Sequence, residues 1–169
     1  MMAKIKQIIF ISLLLLNFDI KAQEIKIAAT QINTLLPLVE SKSIAIVGNQ
    51  TSMIGNTHLV DSLIQLNVNI LKVFSPEHGF RGKADAGTAV KNGQDSITGL
   101  EIISLYGKNK KPTTAQLNGI ELLIFDIQDV GARFYTYIST LHYVMEAAGE
   151  NNIQLIVLDR PNPNGHYFD

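Results

Sequence analysis

The chain of 169 residues has no cysteine and no tryptophan. Without cysteine there can be no disulfide framework and no lipid attached through a lipobox cysteine. An excess of positive charge is also missing: 14 Lys and Arg face 15 Asp and Glu, a formal net charge of −1. Nothing in that balance provides an electrostatic footprint for nucleic acid, so no nucleic-acid partner is expected. Neither a GxGxxG nor a Walker A pattern occurs, which argues against a dinucleotide or nucleotide cofactor. No serine sits in a GxSxG elbow, which removes a common hydrolase type. Long hydrophobic runs are absent beyond Ile8 to Leu16, which is too short to span a bilayer comfortably. There is no internal repeat and no low-complexity tract. What remains, at 46% hydrophobic and 17% charged, is ordinary globular composition.

The first 22 residues have the anatomy of a secretory signal peptide. Lys4 and Lys6 precede the apolar run, a short polar stretch follows it, and Ile20-Lys21-Ala22 offers a cleavage site after Ala22. An uncleaved anchor helix is the alternative. Export to the periplasm or the medium is therefore expected, without a permanent membrane anchor. Cleavage would remove Lys4, Lys6, Lys21 and Asp19, leaving a net charge of about −3 on residues 23–169. Those residues suffice for one domain with a real core. The chain stops at Asp169 inside a Pro/Asn/Gly loop, a few residues past a strand, so a piece of a longer protein is expected.

Hydrophobic periodicity organises the rest. Ser43–Val47, Val68–Phe74, Glu101–Leu105, Glu121–Ile127 and Ile153–Leu158 read as short strands, and Leu122–Phe125 is an unbroken apolar run of the kind buried on both faces in parallel sheets. Helical spacing appears at Leu59, Val60, Leu63, Ile64 and Leu66, with Asn67 as terminator, and again at Ile138, Leu141, Val144, Met145 and Ala148. Thr113–Leu117 is at most a short helix. The alternation predicts an α/β fold: a Rossmann-like, doubly wound, mostly parallel sheet whose ligands lie beyond the carboxyl ends of the strands. Polar blocks follow four of the strands: Gly48–Ser52, Ser75–Gly82, Asp126–Arg133 and Asp159–Gly165. The stretch from Ser75 to Gly99 is too long for an ordinary connection and reads as an active-site loop.

Chemistry can be assigned to particular side chains in these blocks. Glu77, between Pro76 and His78 just past a buried strand, suits a general acid, whereas its bland role is an ion pair with Arg81. His78 could orient that carboxylate or bond a sugar hydroxyl, although a loop histidine is more often structural. Asp126, Gln128 and Asp129 group two carboxylates and an amide at one strand end, able to bind hydroxyls or a cation. A metal site is disfavoured, because hard cations need more oxygen ligands and no histidine spacing supports zinc. Arg133 suits a ligand carboxylate, with a salt bridge to Asp129 as its structural role. Tyr135 and Tyr137 could stack on a sugar face, one of them being expected in the core. Arg160 and Asn162, held by Pro161 and Pro163, are either ligand contacts or part of an Asp159–Arg160 lock. Asn49 and Gln50, after the first strand, are equally ambiguous.

Four ordered blocks carry a family resemblance: Gly48-Asn49-Gln50-Thr51, Ser75 to Gly82, Asp126 through Tyr137, and Asp159-Arg160-Pro161-Asn162-Pro163. Together they resemble the NamZ-like exo-β-N-acetylmuramidases, long labelled a domain of unknown function. The resemblance implies a glycosidase that removes N-acetylmuramic acid from the non-reducing ends of peptidoglycan-derived muramyl oligosaccharides. It also implies a Rossmann-like catalytic domain followed by a smaller C-terminal domain, with Glu77 as the catalytic carboxylate and no cofactor. Glycoside cleavage usually needs a second carboxylate, for which Asp126 and Asp129 are the nominees unless the substrate's lactyl or acetamido group assists. The lactyl carboxylate would suit Arg133 or Arg81. Two other classes compete: a non-catalytic exported module binding cell-wall sugars through Tyr135, Arg133 and Asn162, and a metal-dependent hydrolase using Asp126, Asp129 and His78.

Overall fold

The computed structural model describes residues 25–82 and 92–167. The expected signal peptide, residues 1–22, and the middle of the long loop lie outside the described residues. Among the described residues no helix is long and apolar enough to cross a membrane.

Thirteen elements follow in order. A 3-10 turn (Ala28–Thr30) leads into α1 (Ile32–Val39), then β1 (Ile44–Gly48), a small hairpin of β2 (Met53–Ile54) and β3 (Thr57–His58), and α2 (Leu59–Gln65). Next come β4 (Ile70–Ser75), β5 (Gly93–Gln94), β6 (Glu101–Ser104), α3 (Thr114–Leu117), β7 (Leu122–Asp126), α4 (Tyr137–Glu150) and β8 (Gln154–Val157). Six strands form one sheet in the order β5-β6-β4-β1-β7-β8. Five are mutually parallel, and only the short β5 runs antiparallel to its neighbour β6. The predicted α/β class, with its doubly wound parallel sheet, is thus observed.

Both faces of the sheet are covered, which is why the central strands are apolar without alternation. Ile44 and Ile46 of β1 and Leu122 and Ile124 of β7 turn to one side, where they meet Leu35 and Val39 of α1 and Leu59, Val60 and Leu63 of α2. Ala45, Val47, Leu123 and Phe125 turn to the other, against Leu117 of α3 and Val144, Ala147 and Ala148 of α4. Fully burying each such Val, Leu, Ile or Phe side chain contributes about 1.5–3 kcal/mol. The strand over residues 153–158 departs from the expectation of a buried one. β8 is the edge of the sheet and is half covered, with Val157 46% exposed. The sequence pattern alone could not separate an edge from a centre, because both are apolar.

The chain runs outward from β1 to β4 and β6, then returns to the other side of β1 to add β7 and β8. The winding therefore reverses between β1 and β7, and the carboxyl ends there open into the crevice where doubly wound folds place ligands. Loops following β1, β4, β6, β7 and β8 meet at that end.

Candidate active site

The loop after β1 is tight because Gly48 is glycine: a Cβ there would come within 2.8 Å of the Ser52 Oγ. Asn49 folds the loop by accepting, at Oδ1, from the Thr51 N–H at 2.9 Å and the Thr51 hydroxyl at 2.6 Å. The Thr51 oxygen in turn accepts from the Gln128 N–H at 2.9 Å, and the Ser52 hydroxyl donates to the Asp126 carbonyl. The β1 and β7 loops are consequently one structure. His58, the N-cap of α2, braces it from below: its Nδ1 accepts from the Val60 N–H, so Nε2 carries the proton and donates to the Asn49 carbonyl at 2.9 Å. Burial pushes the His58 pKa below the usual imidazole value.

Asp126 and Arg160 form the keystone between the β7 and β8 loops. Arg160 donates to both carboxylate oxygens, at 2.6 and 2.9 Å, and also to the Met53 carbonyl at 3.0 Å. Both side chains are almost wholly buried. Burial pushes the Asp126 carboxyl upward and the guanidinium opposes it; the bidentate contact keeps Asp126 the anionic partner. Two expectations are corrected here. Arg160 locks to Asp126, not to Asp159, because the side chain turns back under the sheet end. Asp126, nominated as a second catalytic carboxylate, has both oxygens taken up by an arginine and none turned to solvent.

Around that keystone the remaining loop residues knit together. The Gln128 amide donates to the carbonyls of Asp129 and Pro161, both at 2.8 Å. The Asp129 carboxylate accepts from the Gly131 N–H at 2.7 Å, and among the described residues no ion pair joins Asp129 to Arg133, so Arg133's structural role is not observed. Gly131, at φ +67°, lies so close to Asn162 that a Cβ would sit 2.4 Å from the amide oxygen. Asn162 serves this packing and caps its own loop by accepting from the Asn164 N–H. Arg133, Phe134 and Tyr135 are exposed on the rim, and Phe134 and Tyr135 rings lie 5.4 Å apart. Tyr137, the other tyrosine of the motif, is buried, as expected for one of the pair.

The loop after β4 is built differently. The Gly79 N–H bonds back to the Pro76 carbonyl at 3.2 Å, closing a four-residue turn with Glu77 and His78 at its centre. His78 has φ +71°, the sign a type II turn demands at its third residue and one that a non-glycine side chain resists. Strain of that kind, typically about 1–3 kcal/mol, concentrates at functional sites. Glu77 is half-buried at the apex and lies beside the Tyr106 hydroxyl, whose pKa the carboxylate raises. A pocket of about 170 Å³ opens beside it, lined also by residues of the first turn of α4. On its other side stands the Tyr137 hydroxyl, near Asn49, Gln50 and Glu77, its pKa pushed up by burial. Asn49 Nδ2 lies near that hydroxyl without completing a hydrogen bond, and the buried Ser75 hydroxyl also has none.

Arg81 does not pair with Glu77, nor is it available to a ligand. Asp61 takes it at 2.8 and 2.9 Å, and Asp95 at 2.6 and 2.8 Å. The guanidinium holds the Asp95 carboxyl well below the usual range, and the two carboxylates push Arg81 further up. This clamp ties the loop to α2, with Gly82 (φ +67°) pressed against the Gln50 side chain. Sequence reasoning missed Asp61, Asp95, His58 and Tyr106. Tyr106 alone had a usable signal, its place at the carboxyl end of a strand; the others act from a helix or a loop far along the chain. Among the described residues no three His, Asp or Glu side chains converge as metal ligands, so the geometry gives the metal-dependent reading no support.

A doubly wound α/β protein with a strained, acidic turn at the carboxyl end of β4, beside the switch point, is the class that fold and site define. Comparison with known families narrows it. The chain belongs to the family described as exo-beta-N-acetylmuramidase NamZ, N-terminal, which matches residues 44–169. It is 48% identical over 144 residues to the peptidoglycan beta-N-acetylmuramidase NamZ of Bacillus subtilis (strain 168), an alignment covering 80% of this chain and 34% of that protein. Two crystal structures of DUF1343 family proteins from Bacteroides fragilis NCTC 9343 share the fold. One has 45% identity and a TM-score of 0.72 over 85% of this chain and 36% of its own. The other has 42% identity and a TM-score of 0.74 over 83% and 35%. The chain thus spans about a third of the length of these relatives.

Proposed function

We propose that this chain carries the catalytic carboxylate of an exo-acting glycoside hydrolase that releases terminal N-acetylmuramic acid from the non-reducing ends of peptidoglycan fragments. The observation that carries the reading is Glu77 on a strained turn, beside a phenol and a sugar-sized pocket. Glu77 gives its proton to the glycosidic oxygen as the bond from that oxygen to C1 breaks. A water adds its oxygen to C1 and yields a proton to a base, so one water is consumed for each bond cleaved. Asp129 is the nominee for that base, since Asp126 is occupied by Arg160. Arg133, exposed on the rim, is the group for the lactyl carboxylate, because Arg81 is held by two aspartates. The signal-peptide pattern of residues 1–22 supports an activity outside the cytoplasm.

A chromogenic N-acetylmuramic acid β-glycoside tests the reading. Release by the wild type, insensitive to chelator and lost in Glu77→Gln, is the expected result. Binding of the sugar without release by a folded protein would favour the binding module instead, and chelator sensitivity would favour a metal-dependent hydrolase.

A further inference from the structure

Glu77 reaches the site on a turn, and one of the groups beside it comes from a different strand. The Leu105 N–H donates to the Ser75 carbonyl at 2.8 Å, extending the β4–β6 pairing one residue past the sheet and carrying Tyr106 alongside Glu77. The Tyr106 loop is itself fixed at its base, where the Tyr106 N–H meets the Ser104 hydroxyl at 3.2 Å and the Asn109 amide meets the Ser104 carbonyl at 2.9 Å. Tyr106 thus stands beside Glu77 in one pocket wall, on a braced loop.

Glu77 and Tyr106 also share a cavity. Its about 170 Å³ is well below the 300 Å³ or more of pockets for drug-sized ligands, and suits one sugar ring better than two. Hydroxyl groups dominate the wall: Tyr106 and Tyr143, with Thr136, Ser139 and Thr140 from the start of α4. Such a lining offers donors and acceptors in alternation, with aromatic edges, as hexose recognition requires.

We propose that Tyr106 is a positioning residue: its hydroxyl holds the Glu77 carboxyl over this pocket, which receives the terminal sugar whose glycosidic oxygen Glu77 serves. The inference rests on the glycosidase reading and adds the group that sets the geometry of its acid. Among the described residues, Lys110 and Tyr143 on the pocket wall and the buried Tyr137 are further titratable groups near Glu77.

Tyr106→Phe removes one hydroxyl and keeps the ring against the pocket. The expected result is a kcat lowered about tenfold or more with KM within about twofold, at unchanged melting temperature. Wild-type kcat in this variant would overturn the proposal. A second measurement is independent of turnover: NMR titration of 13Cζ-labelled tyrosine in wild type and in Glu77→Gln. Tyr106 should titrate above ordinary tyrosine in wild type and fall back in the variant. An ordinary midpoint already in wild type would overturn the positioning role even if the enzyme is active. Absence of turnover with that coupling intact would instead overturn the glycosidase reading, and the catalytic role of Tyr106 with it.

Discussion

Asp126 and Glu77 stand at the carboxyl ends of two strands on either side of β1, and each is followed by a glycine-bearing polar loop. Their surroundings separate them completely. Asp126 is fully buried with both oxygens on Arg160, and the loops about it satisfy one another: Thr51 to Gln128, Gln128 to Pro161, Asn164 to Val130. Glu77 sits half-exposed beside a pocket, its neighbours Asn49 Nδ2 and Ser75 Oγ buried without partners, its own turn strained at His78. One carboxylate is locked inside the structure and the other borders a pocket. An acidic residue at a strand end therefore carries functional information only once its partners are known.

The sharpest way to break this contrast is to neutralise each carboxylate in turn. Glu77→Gln should lower the proposed glycosidase activity by about 10²-fold or more while moving stability by no more than about 0.5 kcal/mol. Asp126→Asn should do the reverse in kind, leaving a buried guanidinium without its counter-charge and costing about 3–5 kcal/mol of stability. Denaturant unfolding of the two variants beside an activity assay checks both; similar stability losses would erase the distinction.

A smaller effect probes the knitting of the structural side. Gly131→Ala places a Cβ against the Asn162 amide at a positive φ, and should cost about 1–3 kcal/mol in the same unfolding experiment. A cost near zero would mean that the β7 and β8 loops yield more readily than their hydrogen bonds imply.

The least effect concerns pH. His58 is held neutral in the fold, with its pKa below the unfolded value near 6.5, so in that interval the unfolded chain binds a proton that the native chain does not. Stability must then fall as pH drops below about 6.5. Asp95 acts later, because a carboxyl lowered by Arg81 loses its contribution only below about pH 4. Melting temperatures between pH 7.5 and 5.5 should decline in wild type by an amount that His58→Gln reduces, since glutamine can still donate to the Asn49 carbonyl. An identical decline in both would assign the acid sensitivity elsewhere.

Much of the fold was legible because local pattern and tertiary environment agree. Leu122–Phe125 is apolar throughout, and both faces of β7 are covered. Asn67 ends α2 in a left-handed conformation at φ +61°, as a short polar side chain at a helix end permits. Less legible were α1, the β2–β3 hairpin and β5, which are short or carry little periodicity and exist because neighbouring elements hold them. In the candidate site, the sequence singled out Glu77 and the four loops but not the partners that hold them. Arg81 was assigned to Glu77 or to a ligand, and Arg160 to Asp159, each by closeness along the chain; the structure gives them to Asp61 and Asp95, and to Asp126.

The order of apolar and polar segments determined the layers, the parallel sheet and the end of it where chemistry belongs, because burial on two faces and short loops leave few alternatives. Which carboxylate is locked and which faces a pocket was decided only by folding. Ion pairs and hydrogen bonds depend on distances across strands that are far apart in sequence, and residues as remote as Asp126 and Arg160, or Glu77 and Tyr106, become neighbours only when the sheet is assembled.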